Sequence, residues 1–135
     1  MSSLDTELRS VIKSNDTSLV TEAADLLDQG KLNALTELEK RAADPFLVSL
    51  IDRFLMGLPD DLGRVKAEWA TADVESTVVA AHALAGAAAM VGAGALARAA
   101  WRMCASPQDL YMTELASVAA QTAVALKTWR DTIAT

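Results

Sequence analysis

Residues 81–96 read AHALAGAAAMVGAGAL and contain the chain's only histidine, His82. From Ser76 to Ala97 the chain consists mostly of Ala, Gly and Val, and His82 is the only ionisable side chain among these 22 residues. Any chemistry located here must therefore be imidazole chemistry. The run predicts a tightly packed helix from about Asp73 to Met90, capped by the preceding Thr71-Ala72-Asp73.

Helical geometry, at about 100° per residue, separates the small residues of this helix from the bulky ones. Leu84 and Val91 point into the protein when His82 points outwards. The face around the imidazole is formed by Glu75, Val78, Val79, Ala85, Gly86 and Ala89. Gly86 lies one turn after His82 and costs about 1 kcal/mol of helix propensity relative to Ala, so we interpret it as leaving the imidazole open to a partner. A neutral imidazole can accept a phosphoryl group on a ring nitrogen.

Three other interpretations compete with an exposed, reactive histidine. His82 could instead be partly buried and hydrogen-bonded to a backbone carbonyl. Residues 74–96 are long enough for a membrane span, although Ala and Gly drive insertion weakly and Gly92 and Gly94 interrupt the run. A metal site is disfavoured because the chain has no second histidine and its one cysteine, Cys104, is not at ligand spacing.

The composition favours one all-α domain. The 135 residues are 52% hydrophobic but only 4% aromatic, which suits Ala- and Leu-rich helices better than a β-sandwich. A formal charge of -6 would repel a phosphate backbone, which argues against nucleic acid as a partner. The single cysteine and the absence of a signal-peptide pattern in residues 1–13 predict a cytoplasmic protein that neither spans nor binds a membrane.

The first thirty residues are predicted to form an N-terminal helical extension. One helix would end near Lys13 and the next at the stop signal Gln29-Gly30. This extension either folds back over the rest of the protein or is offered to a partner. Its apolar stripe from Leu19 to Leu27 would allow a weak dimer, with a monomer as the alternative.

Residues 31–135 are predicted to form an antiparallel four-helix bundle, from apolar residues at spacings of three and four. Asp44-Pro45 is a helix start signal. The helix that it begins runs to about Ala70 with a kink at Gly57 and Pro59, two separate helices being the alternative. The other predicted helices span about residues 31–42, 73–90, 96–105 and 108–133.

The remaining conspicuous side chains are interpreted as structural. Trp69, Trp101 and Trp129 lie near helix ends at helical spacing and are predicted to be packing anchors and not a binding cage. Cys104 is predicted to be a small core residue and not a redox switch. Neither set competes with His82 as a candidate site.

Residues 81–96 resemble the signature of histidine-containing phosphotransfer (Hpt) domains, A-H-x-L-K-G-S-x-x-x-φ-G-A-x-x-L, in which φ is apolar. The matching positions are His82, Leu84, Gly86, Val91, Gly92, Ala93 and Leu96. Upstream, Phe54, Leu58-Pro59 and Leu62 are similar to the family's F-x-x-x-L-P-x-x-L helix. The resemblance covers roughly residues 32–133 in length and helix order.

The resemblance implies a four-helix bundle with an N-terminal helix over one end. It implies that His82 exchanges a phosphoryl group with aspartates on the receiver domains of a sensor kinase and a response regulator. The receiver would supply the aspartate and Mg²⁺, so the chain is expected to be a phosphoryl carrier and not an enzyme, with no cofactor or metal of its own. We expect the receiver to dock on Val78, Val79, Ala85, Gly86 and Ala89, and on exposed residues of the helix from Phe46 to Trp69.

The chain departs from the family at two positions beside the histidine. The family's Lys is Ala85 here, and the small hydroxyl residue after the glycine is Ala87. A phosphoryl group carries nearly two negative charges, so a cation would have to come from a neighbouring helix. The candidates are Arg64, Lys66, Arg98 and Arg102. The alternative function is a degenerate Hpt-like module that binds a receiver or kinase without phosphotransfer.

Overall fold

Five α-helices and no strand are present in residues 26–134, the part of the chain that the computed structural model describes. The helices are α1 (Gln29–Arg41), α2 (Leu47–Ala70), α3 (Val74–Met90), α4 (Gly94–Ala105) and α5 (Asp109–Ala134). The predicted all-α class is confirmed. The helix predicted to end near Lys13, and most of the next one, lie outside the described residues.

Helices α2 to α5 form a four-helix bundle in which each helix packs against two others, in the pairs α2–α3, α3–α4, α4–α5 and α2–α5. Three-residue connections join consecutive helices at 71–73, 91–93 and 106–108. Connections this short make consecutive helices antiparallel neighbours, as predicted. All four helices contribute to the core, whose fully buried side chains include Ile51, Leu84, Leu96, Met103, Leu115 and Leu126. Within residues 26–134 no helix is both long enough and apolar enough to span a bilayer.

The segment that precedes α1 packs against one end of the bundle. Leu26 and Leu27 are buried in the same apolar core as the bundle residues. The backbone N–H of Asp28 donates a 2.7 Å hydrogen bond to the carbonyl of Gly92, in the α3–α4 connection. The last residues of the predicted extension therefore fold back over the bundle, whereas the rest of its apolar stripe lies outside the described residues.

The predicted stop signal at Gln29-Gly30 is wrong, because these residues begin α1. The carboxylate of Asp28 accepts a hydrogen bond from the backbone N–H of Lys31 at 3.0 Å. An Asp at the N-cap satisfies a donor that the first helical turn would otherwise leave without a partner. The dipeptide therefore follows a cap and does not terminate a helix.

The predicted start of α2 at Asp44-Pro45 is also wrong. The helix begins at Leu47, and its N-terminus is capped from a distance: the carboxylate of Glu39 in α1 accepts hydrogen bonds from the backbone N–H groups of Phe46 (2.8 Å) and Leu47 (2.7 Å). A carboxylate in this position satisfies two backbone donors and lies at the positive end of the helix dipole. The cap therefore fixes α1 to α2 as well as starting the helix.

Helix α2 runs as one helix from Leu47 to Ala70 with Pro59 inside it, which excludes the alternative of two separate helices. Its far end leads into α3, where the prediction from sequence is confirmed. Asp73 caps α3 by accepting hydrogen bonds from the backbone N–H and the hydroxyl of Ser76, at 3.0 and 2.9 Å. These two hydrogen bonds hold the pKa of the Asp73 carboxyl below its usual value. Helix α3 therefore carries His82 from a well-defined start.

Candidate functional site

His82 lies on the outer face of α3 and is exposed. Leu84 and Val91 are almost fully buried on the inner side of the same helical segment. The inward direction predicted for Leu84 and Val91 and the outward direction predicted for His82 are confirmed, and the alternative of a partly buried histidine is wrong. Because α3 packs between α2 and α4, the imidazole lies between two flanks that differ in character.

The predicted docking residues on α3 do not all reach the surface. Val79, Gly86 and Ala89 are exposed and Val78 is half-buried. Ala85 is fully buried, so its place on the predicted docking surface is wrong. It lies one turn beyond His82 towards α4, with which α3 has its most extensive contact, and a methyl group is small enough to be covered there.

The α4 flank of the site is closed by an aromatic side chain. The rings of Trp101 and His82 are in edge-to-face contact, with centroids 4.8 Å apart and an angle of 87° between their planes. Aromatic contacts of this geometry contribute about 0.5–1.5 kcal/mol beyond the area they bury. Trp101 is 48% exposed, so the prediction that it is a packing anchor missed its place beside the histidine.

The sequence held a signal for this contact in the register of the α3–α4 hairpin. His82 is ten residues before Gly92, and Trp101 is nine residues after it. Two antiparallel helices that turn at Gly92 bring these positions level with each other. A projection of α3 alone could not reveal the pairing, because it contains no information about α4.

Cys104 lies further along the same flank and serves packing, as predicted. It is half-buried, and its thiol donates a 3.6 Å hydrogen bond to the backbone carbonyl of Val78. Burial raises the pKa of the Cys104 thiol, which disfavours the reactive thiolate. The contact fixes α4 against the turn of α3 that precedes His82.

The α2 flank is an open groove of about 530 Å³. Its walls are formed by Arg64 and Glu68 of α2 and by Glu75, Ser76, Val79, Ala80 and Ala83 of α3. Val79 and Ala83 are the residues three before and one after His82, so the groove opens beside the histidine. It therefore provides polar and apolar surface next to the imidazole.

The four candidate cations differ in their surroundings. Arg64 lines the α2 groove. Arg102 forms an ion pair with Glu114 of α5, with Nε 2.7 Å from the carboxylate. The Arg98 guanidinium lies near Gly94, where a Cβ would be 3.4 Å from its Nη1. Lys66 is exposed on α2. Arg64 is thus the cation that borders the same groove as the neighbours of His82.

No three His, Cys, Asp or Glu side chains in the described range 26–134 are grouped so that they could hold a metal ion. The imidazole of His82 is exposed between the α4 flank, with Trp101, and the charged α2 groove.

Comparison with known proteins gives a family that fits this arrangement. The family model of the Hpt domain matches residues 49–134, which include the exposed histidine helix and almost all of α2 to α5. Searches of curated proteins and of solved structures returned no significant match. Hpt domains act in phosphotransfer of two-component signalling, in which they interact with receiver domains and carry phosphoryl groups. By its sequence and its helical bundle, this chain belongs to the Hpt domain family.

Proposed function

We propose that the protein is a phosphorelay intermediate that carries a phosphoryl group on His82 between the aspartates of receiver domains. The observation that carries the proposal is the exposure of His82 on α3 of an Hpt bundle, at the position that matches the histidine of the family motif. The bulky residues of the motif are buried beneath the histidine. A receiver can therefore reach the imidazole without rearranging the core.

The transfer is an exchange of one bond to phosphorus for another. A ring nitrogen of His82 attacks the phosphorus of the receiver's aspartyl phosphate with its lone pair. The nitrogen–phosphorus bond forms as the bond between phosphorus and the carboxylate oxygen breaks, and the receiver's carboxylate leaves with the bonding electrons. The second receiver reverses these steps when its aspartate takes the group from His82, and the receivers supply the Mg²⁺.

Arg64 is the source of charge balance in this proposal, in a groove that also contains the carboxylates of Glu68 and Glu75. Ala85 replaces the family's Lys and is fully buried, so that position offers no cation to the phosphoryl group. Arg64 lines the groove next to Val79 and Ala83, and its planar guanidinium suits bidentate contact with phosphate oxygens. Arg64 therefore takes the part that the family assigns to the Lys.

Apolar and small residues complete the docking surface. Val79 is 65% exposed. Gly86 and Ala89 are exposed as well, and because they are small they project little from the surface on the side of His82 towards the end of α3. An exposed apolar residue flanked by small ones is suited to close contact with a partner helix or loop. Receiver binding is expected to cover these residues together with the α2 groove.

The test is phosphoryl transfer from radiolabelled, phosphorylated receiver domains. Wild-type protein is expected to gain a label that is lost in acid and kept in alkali, as phosphohistidine is. His82→Gln keeps a polar side chain but has no nucleophilic ring nitrogen, and is expected to gain none. Circular dichroism checks that the variant is folded.

Two results would count against this function. If the wild type stays unlabelled with every receiver of the source organism, the relay proposal is wrong. If it binds a receiver tightly, with the same affinity in His82→Gln, and still gains no label, the degenerate binding module is correct. Affinity is measured by titration calorimetry with the unphosphorylated receiver.

A further inference from the structure

The contact between Trp101 and His82 joins two exposed side chains on different helices. A large aromatic side chain on an outer face is ordinarily free to lie against its own helix, but the Trp101 ring stands edge-to-face with the imidazole at 4.8 Å. Ala85, one turn from His82 on the same flank, is fully buried. The small side chain there and the large one on α4 together close this side of the histidine.

An exposed histidine without such a contact has two freedoms that matter for phosphotransfer. The ring samples staggered positions about its first torsion, and a half-turn about the second exchanges Nδ1 with Cδ2 and Nε2 with Cε1, which moves each nitrogen to the opposite side of the ring. An unsupported ring would therefore present either nitrogen to a docked phosphate. The Trp101 ring, 4.8 Å away at an angle of 87°, restricts the first rotation, because swinging the imidazole moves its centroid away from Trp101. It hinders the second rotation, because the imidazole plane must leave the edge-to-face arrangement on the way through a half-turn.

We propose that Trp101 is a positioning residue, which holds the imidazole of His82 so that one particular ring nitrogen faces outwards to receive the phosphoryl group. This inference rests on the proposed function of His82 as the phosphoryl acceptor. Trp101 forms no bond to phosphorus and moves no proton; it acts through the orientation of the ring. In this proposal Arg64 of the α2 groove supplies positive charge, and Trp101 on the α4 flank supplies orientation.

A positioning role and a docking role for Trp101 affect different measured quantities of the transfer reaction. Trp101 is half exposed, so it could also add apolar area to a receiver interface. Loss of docking area raises the protein concentration needed for half-maximal transfer. Loss of orientation lowers the transfer rate at saturation and changes which nitrogen is labelled.

The decisive experiment uses phosphoramidate, which phosphorylates histidine without a receiver and releases ammonia as its nitrogen–phosphorus bond breaks. Labelled protein is analysed by phosphorus NMR, which distinguishes phosphohistidine substituted at Nδ1 from that substituted at Nε2. Wild-type protein is expected to carry the label on one nitrogen, and Trp101→Ala on both. Trp101→Phe keeps an aromatic ring on α4 and is expected to restore the single product.

Single-turnover transfer from a phosphorylated receiver gives the second measurement. Trp101→Ala is expected to lower the saturating rate by about ten- to a hundredfold, because small misplacements of reacting groups cost factors of this size. Trp101→Phe is expected to recover most of that rate. Val124→Ala on α5 is the control, since Val124 is also apolar and exposed (68%, against 48% for Trp101) but lies on a helix that does not pack against α3 in the bundle.

The outcomes separate the two proposals. The positioning role is overturned if Trp101→Ala keeps the nitrogen selectivity of the wild type, or if its loss of transfer lies wholly in the half-saturating concentration. If no receiver labels the wild type while phosphoramidate still gives one product in the wild type and two in Trp101→Ala, the relay function fails and the positioning of the ring stands.

Discussion

Gly86 and Gly92 belong to one sequence motif but lie in different environments. Gly92, in the α3–α4 connection, is buried and has a positive φ of +75°. A Cβ at this position would lie 2.9 Å from both Cγ and Cδ2 of Leu32. Gly86 is exposed on α3, and among the described residues no heavy atom outside its own helical turn lies within 4 Å of the Cβ that it lacks.

The difference separates a glycine that the fold requires from one that it does not. At Gly92 a side chain would strain the backbone and push against α1, which packs on this end of the bundle. At Gly86 a side chain would fit the fold and improve helix propensity. In the proposed function, the glycine there serves the surface next to His82, which a receiver must approach closely.

Gly92→Ala tests the structural half of this comparison and should have the largest effect. Backbone strain and the clash with Leu32 are together expected to lower the free energy of unfolding by about 3 kcal/mol. Urea unfolding followed by circular dichroism measures the change. A urea midpoint equal to that of the wild type would show that the α3–α4 connection can accommodate a side chain. The claim that the fold requires a glycine at this position would then be wrong.

Ala85→Lys restores the family's residue at a buried position, and we expect it to destabilise the protein. The Lys chain would have to emerge between α3 and α4, where Ala85 is fully buried. Overpacking at such a position costs about 2 kcal/mol. Ala89→Lys, one turn later on the exposed surface of the same helix, is the control and should leave the unfolding midpoint nearly unchanged.

The opposite result for Ala85→Lys, a variant that is stable and active, would change the proposed source of charge balance at the site. If the variant is as stable as the wild type and transfers phosphate faster, the flank towards α4 has room for a cation. The assignment of charge balance to Arg64 would then lose its main reason, because the family's position would be usable in this fold.

Local sequence signals predicted α3 well. Its bounds, its cap at Asp73 and the outward direction of His82 follow from residues within a few turns of each other. The start of α2 was predicted wrongly because its cap is Glu39, which lies eight residues before Leu47 in another helix. No pattern adjacent to Asp44-Pro45 contains that information.

The candidate site was predicted in part for the same reason. A projection of α3 gives the direction of each side chain but not which directions are covered by neighbours. Ala85 was therefore placed on the surface although α3 packs against α4 on that side. The prediction that Trp101 is a packing anchor misses its contact with His82, because that contact depends on the register of two helices, which follows from the sequence only once Gly92 is recognised as the turn between them.

Gly86→Ala tests the functional half of the comparison and should have the smallest effect on stability, with the opposite sign. Replacing an exposed helical glycine by Ala is expected to raise the free energy of unfolding by about 1 kcal/mol. The added methyl group would stand one turn from His82 on the surface that is proposed to bind the receiver. Transfer from a phosphorylated receiver is expected to become about tenfold slower, because the phosphorus is held further from the ring nitrogen.

Gly63→Ala separates the two consequences of Gly86→Ala. Gly63 is an exposed glycine within α2, and a Cβ there also has nothing within 4 Å among residues 26–134, so the gain in stability should be similar. Because exposed residues of α2 also belong to the expected docking surface, the rates are compared at saturating receiver, and their ratio then reports the effect of the methyl group beside His82. If that ratio is one, Gly86 does not serve access to the imidazole. Gly86 and Gly92 would then differ only in the backbone strain that a side chain would cause.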